Sequence, residues 1–292
     1  MIGKTVQGYQ VTAKIRDGSV GTVWKALDPK GEIVALKQLS FRKAQEPRKL
    51  REFKREATLT RSLDHPQIIQ IFDYAKVKPQ PFFVMEYFES ESLKQAIACL
   101  PERIYQKEFQ ILRELADALA YLHGLGIVHK DVKPENVLVN REGEIRLIDF
   151  SIAKTKWDRR LQLGKKVEGT PLYMAPEQIR GERCDPRTDI YSFGVLAYEI
   201  LSRTSPFLAP TQDAIIRKQL EDLPAPLMNH VPSASPDLNA LIFQMLEKDP
   251  EKRIPDMKVV LKHLTRWEQE DTSVRLQQVP PLAGKGRDSR PR

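Results

Sequence analysis

The stretch "TDIYSFGVLAYEILS", residues 188–202, constrains this chain more than any other. Read as a helix, it is apolar nearly all round rather than along one stripe. Such a helix has no face to offer water, so it requires burial on every side inside a large lobe. A chain of 292 residues is long enough to build one, as one large domain or as two lobes.

The chain changes character along its length. Up to about residue 88 it is strand-rich. "YQVTAKI", "VGTVWKAL" and "EIVALKQL" are short β-favouring runs separated by the turn-forming "RDGS" and "DPKG". "RKLREFKREATLTRSL" reads as a helix, "PFFVMEYF" as another apolar strand, and the Pro-bearing "KVKPQP" before it as a hairpin connection. From about residue 92 helices take over. "KEFQILRELADALAYLHGLG" places Phe109, Leu112, Leu115, Ala116 and Leu119 on one stripe, and glycines end it. The pattern predicts an α+β, bilobal architecture, with a small β-rich N-lobe over 1–88 and a larger, mainly α-helical C-lobe over 89–269. A ligand is expected in the cleft where they join, near residues 86–92. Residues 270–292, ending "GKGRDSRPR", read as a basic, Pro- and Gly-containing flexible tail.

Composition narrows the class. With 41% apolar and 29% charged residues the chain has the make-up of an ordinary soluble globular protein. No apolar run approaches the roughly 18 residues of a membrane span, and "MIGKTVQGYQ" lacks the apolar core of a secretion signal. Cys99 and Cys184 stand far apart and in no CxxC pair, which argues against a disulfide framework or a zinc site and for a reducing cytoplasm. A net charge of +8 would suit an acidic partner or nucleic acid. The basic residues are scattered, however, and part of the excess lies in the tail, so no nucleic-acid partner is expected.

Three stretches carry chemistry. In "IRDGSVGTVWKA", residues 15–26, Gly18 and Gly21 permit a tight hairpin and a close approach of backbone N–H groups to a phosphate. By itself this marks a turn more often than a phosphate site. In "EIVALKQ" period two puts Ile33, Ala35 and Lys37 on one face, so a lysine points where apolar residues point. The following helix places Phe53, Glu56, Thr60 and Leu63 on one stripe, making Glu56 a charge on the packing face and a partner for Lys37. That pair is either structural or a device for holding the lysine toward phosphate oxygens. In "GIVHKDVKPENVLVN", residues 126–140, His129, Asp131, Lys133 and Asn136 crowd one loop, and a second acid follows at Asp149. Asp and Asn oxygens suit Mg²⁺, and Lys suits a phosphate. His129, flanked by Val128, reads as a packed, hydrogen-bonded histidine.

Taken together, these stretches resemble the eukaryotic-type (Hanks-type) serine/threonine protein kinase family over about residues 9–266. "GSVGTV" resembles its glycine-rich loop, "VALK" the strand with the phosphate lysine, and "HKDVKPEN" the catalytic loop. "DFS" stands where the family has DFG. "GTPLYMAPE" closes the activation segment, "DIYSFG" resembles the buried helix behind the site, and "DPEKR" the arginine motif of the large lobe. The resemblance implies transfer of the ATP γ-phosphate to protein substrates, with ATP and Mg²⁺ (or Mn²⁺) as cofactors. Lys37 would hold the α- and β-phosphates, with Glu56 fixing it. Asp131 would orient the substrate hydroxyl and accept its proton, and Lys133 would neutralise the γ-phosphate. Asn136 and Asp149 would hold the metal. Ile15, Val23, Ala35 and Leu138 would sandwich the adenine, with Met85 behind it and the backbone of Glu86 and Phe88 at its edge. Gly18 and Gly21 would cover the phosphates. Glu177 and Arg253 would pair inside the large lobe, and Asp189 would brace the catalytic loop.

"DVKPEN" with Lys133, and Thr170 in "GTP", resemble serine/threonine rather than tyrosine kinases, most of all bacterial ones. The alternatives are a non-catalytic nucleotide-binding kinase-like module and a small-molecule kinase on a related fold. Against the second stands "GTPLYMAPE" with Arg253, since that segment is a protein-substrate platform in the family. No sensor domain is visible, so regulation is expected from a separate partner or the tail.

Three positions depart from the family. Arg16 replaces the first glycine of the loop. Lys130 replaces the arginine that receives an activation-segment phosphate, and a point charge cannot reproduce the planar fork of arginine. Residues 156–169, "KWDRRLQLGKKVEG", contain no Ser, Thr or Tyr, so control by activation-segment phosphorylation is not expected; Asp158 or Glu168 would serve as a fixed anionic partner for Lys130. Ser151 replaces the glycine of DFG and is expected to stiffen the segment.

Overall fold

In a computed structural model the described residues run from 2 to 277, without 19, 78–79, 100–101, 103, 105, 152 and 156–170. The first part is a six-stranded antiparallel sheet: β1 (Thr5–Val6), β2 (Tyr9–Asp17), β3 (Gly21–Leu27), β4 (Ile33–Leu39), β5 (Ile71–Ala75) and β6 (Phe82–Glu86), in the order β1-β2-β3-β4-β6-β5. Between β4 and β5 lie a short α1 (Phe41–Ala44) and α2 (Pro47–Arg61). The turn "DPKG" works because Asp28 Oδ1 accepts from the backbone N–H of Lys30 and Glu32, both at 2.8 Å, while Gly31 takes φ +86°. Proline at the first position of α2 removes an N–H that would have no helical partner.

β4 is a central strand buried on both faces. Val34 and Leu36 join Val11, Ala26, Phe82 and Val84 on one side. On the other, Leu39 packs with Phe53 and Ala57 of α2 and with Ile71 and Phe83. Ile33, which shares the face of Ala35 and Lys37, is 49% exposed because it opens the strand at the turn. The apolar character of that face therefore begins at Ala35.

The second part is mainly helical: α3 (Leu93–Cys99), α4 (Glu108–Gly124), α5 (Pro176–Ile179), α6 (Pro186–Ser202), α7 (Gln212–Glu221), α8 (Pro236–Met245) and α9 (Met257–Gln277). Short strands β7 (Glu91–Ser92), β9 (Val137–Val139) and β10 (Ile145–Leu147) form a three-stranded sheet, and β8 (Ile127–Val128) pairs with β11 (Lys154–Thr155). The all-round apolar stretch is α6, with Ile190, Tyr191, Phe193, Val195 and Leu196 fully inaccessible. Its first turn is capped by Asp185, which accepts from the Arg187 N–H at 2.8 Å. On α4, Leu112, Leu115, Ala116 and Leu119 are buried, whereas Phe109 sits at the edge of the core beside Trp267 of α9.

Backbone bonds join the two lobes behind the cleft: Ile69 N–H donates to Leu147 O at 3.1 Å, and Leu147 N–H to Gln67 O at 2.7 Å. α9 continues to Gln277, into the stretch read from sequence as the start of a tail, and residues 278–292 lie outside the described residues. Among the described residues no helix is long and apolar enough to cross a membrane.

Candidate active site

Lys37 enters the cleft from β4, and Glu56 reaches it from the packing face of α2. Lys37 Nζ donates to Glu56 Oε1 at 2.6 Å. Burial alone would lower the Lys37 ammonium, but Glu56 and Asp149 beside it hold it above its ordinary value. Burial pushes the Glu56 carboxyl up to about 7, with Lys37 opposing and Asp149 adding to the rise. Three charges from three elements thus share one water-poor space, where electrostatic effects are strongest.

The loop 129–136 holds the second cluster. Lys133 Nζ donates to both carboxylate oxygens of Asp131, at 2.8 and 2.7 Å. Asn136 Nδ2 donates to Asp131 Oδ2 and to Asp131 O, each at 2.8 Å, which leaves its Oδ1 as the atom a cation would meet. Asp189 of α6 braces the loop from below. It is fully buried and accepts from the backbone N–H of His129 at 2.8 Å and of Lys130 at 2.7 Å. His123 Nε2 lies 2.9 Å from the same carboxylate. Burial would raise the Asp189 carboxyl, yet His123, His129 and the Lys130 N–H keep it below its ordinary value. His129 is inaccessible, edge-on to Phe150 at 4.9 Å between ring centroids, and so packs rather than reacts.

Two non-glycine residues here adopt left-handed backbone, Lys130 at φ +70° and Asp149 at φ +68°. Such conformations cost free energy and persist where surrounding bonds over-determine them. At Lys130 those bonds are its N–H to Asp189 and its carbonyl, which accepts from Gln178 Nε2 at 2.9 Å. At Asp149, Oδ1 accepts from the Ser151 N–H at 3.2 Å. Burial tends to raise the Asp149 carboxyl, but Lys37 and the bonds from Ser151 outweigh it and keep it low. Ser151 therefore orients the acid at 149, and its own φ is not in the region that calls for glycine. The Lys130 side chain lies beside Cys184, whose thiol burial raises while Lys130 opposes the rise. Asp158 and Glu168, expected as partners of Lys130, lie outside the described residues.

The remaining cleft residues are placed by strand register. Val23 is opposite Lys37, Ala35 opposite Met85, and Val34 opposite Glu86. Ile15 on β2 is 46% exposed. Leu138 on β9 pairs with Arg146 on β10. Sequence reasoning missed Arg146, which looks like an ordinary outward charge on a strand. It donates from Nε to Glu86 Oε1 at 2.5 Å and lies 4.4 Å from the ring centroid of Phe88, tying β10 to the connection between the lobes.

Gly21 has a different reason from the one its motif suggests. Its backbone packs so closely on β4 that an added Cβ would lie 2.0 Å from Gln38 O, whereas at Gly18 the nearest atom would be at an ordinary 3.4 Å. Gly21→Ala should destabilise the small lobe by about 1–3 kcal/mol, while Gly18→Ala leaves the melting curve nearly unchanged. Equal melting temperatures for the two variants would refute the steric account.

The protein kinase domain family matches residues 9–264. The chain belongs to that family. It is 34% identical over 256 residues to a probable serine/threonine-protein kinase of Streptomyces coelicolor, an alignment covering 84% of this chain and 37% of that one. It is 32% identical over 268 residues to a probable serine/threonine-protein kinase of Clostridium perfringens, covering 91% and 39%. To the serine/threonine-protein kinase PknL of Mycobacterium tuberculosis it is 32% identical over 252 residues, covering 85% and 62%. The chain thus spans about two fifths of the length of the first two relatives.

Proposed function

We propose that this chain is an active protein serine/threonine kinase that uses ATP with Mg²⁺ or Mn²⁺. The observation that carries the proposal is the Lys37–Glu56 pair at 2.6 Å, coupled electrostatically to Asp149 and set with the Asp131–Lys133–Asn136 cluster. A decayed site has no use for this many desolvated charges in one cleft. Asn136 and Asp149 offer one amide and one carboxylate oxygen, hard donors that suit a small divalent cation with other positions left for phosphate and water. Such a cation, when bound, would neutralise phosphate charge.

Lys37 binds phosphate oxygens while Glu56 holds its ammonium in place. The bonds of Lys133 and Asn136 fix the direction of the Asp131 carboxylate, so little reorganisation is left for the reaction itself. Asp131 accepts a hydrogen bond from the Ser or Thr hydroxyl and takes its proton as the new oxygen–phosphorus bond forms. The bond from the γ-phosphorus to the bridging oxygen breaks and ADP leaves. Lys133 meets the charge of the transferring group. With residues 156–169 free of hydroxyl side chains, and Lys130 turned toward Cys184, this reading includes a site that works without an activation-segment phosphate. A separate partner then sets when it works.

The test is transfer of labelled phosphate from ATP to a generic protein substrate in the presence of Mg²⁺. Wild type should transfer, and Lys37→Met should lose transfer with its fold retained. Nucleotide binding by wild type with no transfer at all would favour the non-catalytic alternative, and a phosphate required between residues 149 and 177 would overturn the absence of segment control.

A further inference from the structure

α7 has one buried residue, and it is a polar one, Gln219, fully inaccessible. Its carboxamide is satisfied at both ends. Oε1 accepts from Tyr191 Oη at 2.5 Å. Nε2 donates to Leu172 O and, at 3.3 Å, to Pro171 O. Tyr191 Oη in turn accepts from Lys248 Nζ at 2.9 Å, and that lysine lies 3.9 Å from the centroid of the Phe207 ring. A relay thus runs from Lys248 through Tyr191 of α6 and Gln219 of α7 to two backbone carbonyls.

Those carbonyls belong to the single turn Pro171–Tyr173, inside "GTPLYMAPE". The Pro171 carbonyl accepts from the Met174 N–H at 3.2 Å within the turn itself, whereas the Leu172 carbonyl takes its donor from the Gln219 side chain. A buried leucine at 219 would fill the same space, but only a group with a donor on one side and an acceptor on the other can join Tyr191 to the turn. The far side of the turn is held as well, since Tyr173 Oη donates to Glu199 Oε2 at 2.6 Å. Two helices therefore fix one half-buried turn, more constraint than a mere connection between segments requires.

We propose that Gln219 is a positioning residue for the protein substrate: by holding the Pro171 and Leu172 carbonyls it sets the backbone on which that substrate lies. The inference rests on the protein-kinase reading. It acts on the protein-binding side of the site and leaves the nucleotide side untouched, because among the described residues Gln219 and its partners make no hydrogen bond to Lys37, Asp149 or the small lobe.

Gln219→Glu is the informative variant. It keeps size and the acceptor toward Tyr191, but removes the N–H donors and sets an oxygen against the carbonyls. Gln219→Met fills the space without either bond. Both should raise the KM for a protein substrate about tenfold, the equivalent of one or two lost hydrogen bonds, with the KM for ATP changed by less than about twofold. Hydrogen exchange at the amides of Leu172 to Ala175 should quicken in both. Unchanged protein KM and unchanged exchange would overturn the assignment, as would a parallel rise in the KM for ATP, the mark of general damage. A wild-type chain that moves no phosphate would overturn the kinase reading and the substrate role with it. Failure of Gln219 alone appears instead as a transferring wild type matched by its variants.

Discussion

Arg253→Met should lower the melting temperature of the purified chain by roughly 10 °C, a loss of about 3–5 kcal/mol. The arginine is the hub of the large lobe. Its Nη1 and Nη2 each donate to Glu177 at 2.8 Å, in a fork-to-fork pair. It also donates to the backbone carbonyls of Glu247 at 2.7 Å, Arg187 at 2.9 Å and Lys248 at 3.3 Å. Both partners are almost wholly buried, Arg253 at 4% and Glu177 at 2% exposure. Methionine fills the volume but leaves the Glu177 carboxylate in low dielectric with, among the described residues, only the Thr188 hydroxyl, at 2.8 Å, as a donor. Most of the loss is that stranded charge, so adding Glu177→Gln to Arg253→Met should recover part of it. A double variant less stable than the sum of the singles would contradict this, as would a single-variant loss under about 1 kcal/mol.

The second large effect concerns chemistry rather than stability. Asp131→Asn should cut phosphate transfer by about 10²–10⁴-fold, the usual contribution of a positioned general base. Asparagine keeps the size and one oxygen, so Asn136 can still donate to it, and the loop remains braced by Asp189. What disappears is the carboxylate charge that Lys133 meets at 2.7 Å, and with it, on the proposed reading, the proton acceptor. Nucleotide binding by thermal shift should therefore survive in the variant. Transfer within tenfold of wild type would remove Asp131 from the catalytic role.

Much of the site was legible because two simple periods project onto it. Alternation along β4 and the helical stripe of α2 bring a lysine and a glutamate toward each other, and the structure closes them to 2.6 Å. Asp131, Lys133 and Asn136 are close because they are near in sequence, and their loop has little room to part them. The same alternation says nothing of cover at a strand end, and Ile33 shares the face of its neighbours while remaining 49% exposed. It also had no means of finding Arg146 or Gln219, whose partners at Glu86, Tyr191 and Leu172 are remote in sequence.

Sequence by itself determined the lobes, the order of the chemical groups and the family, because these follow from local pattern and from residue types at short spacing. The tertiary structure alone decided why Gly21 must be glycine, through the carbonyl of a neighbouring strand. It alone decided that Lys130 and Asp149 carry left-handed backbone, and that an amide on α7 reaches the turn at Pro171. Each of these depends on an atom brought from far along the chain, and distance along the chain does not encode proximity in space.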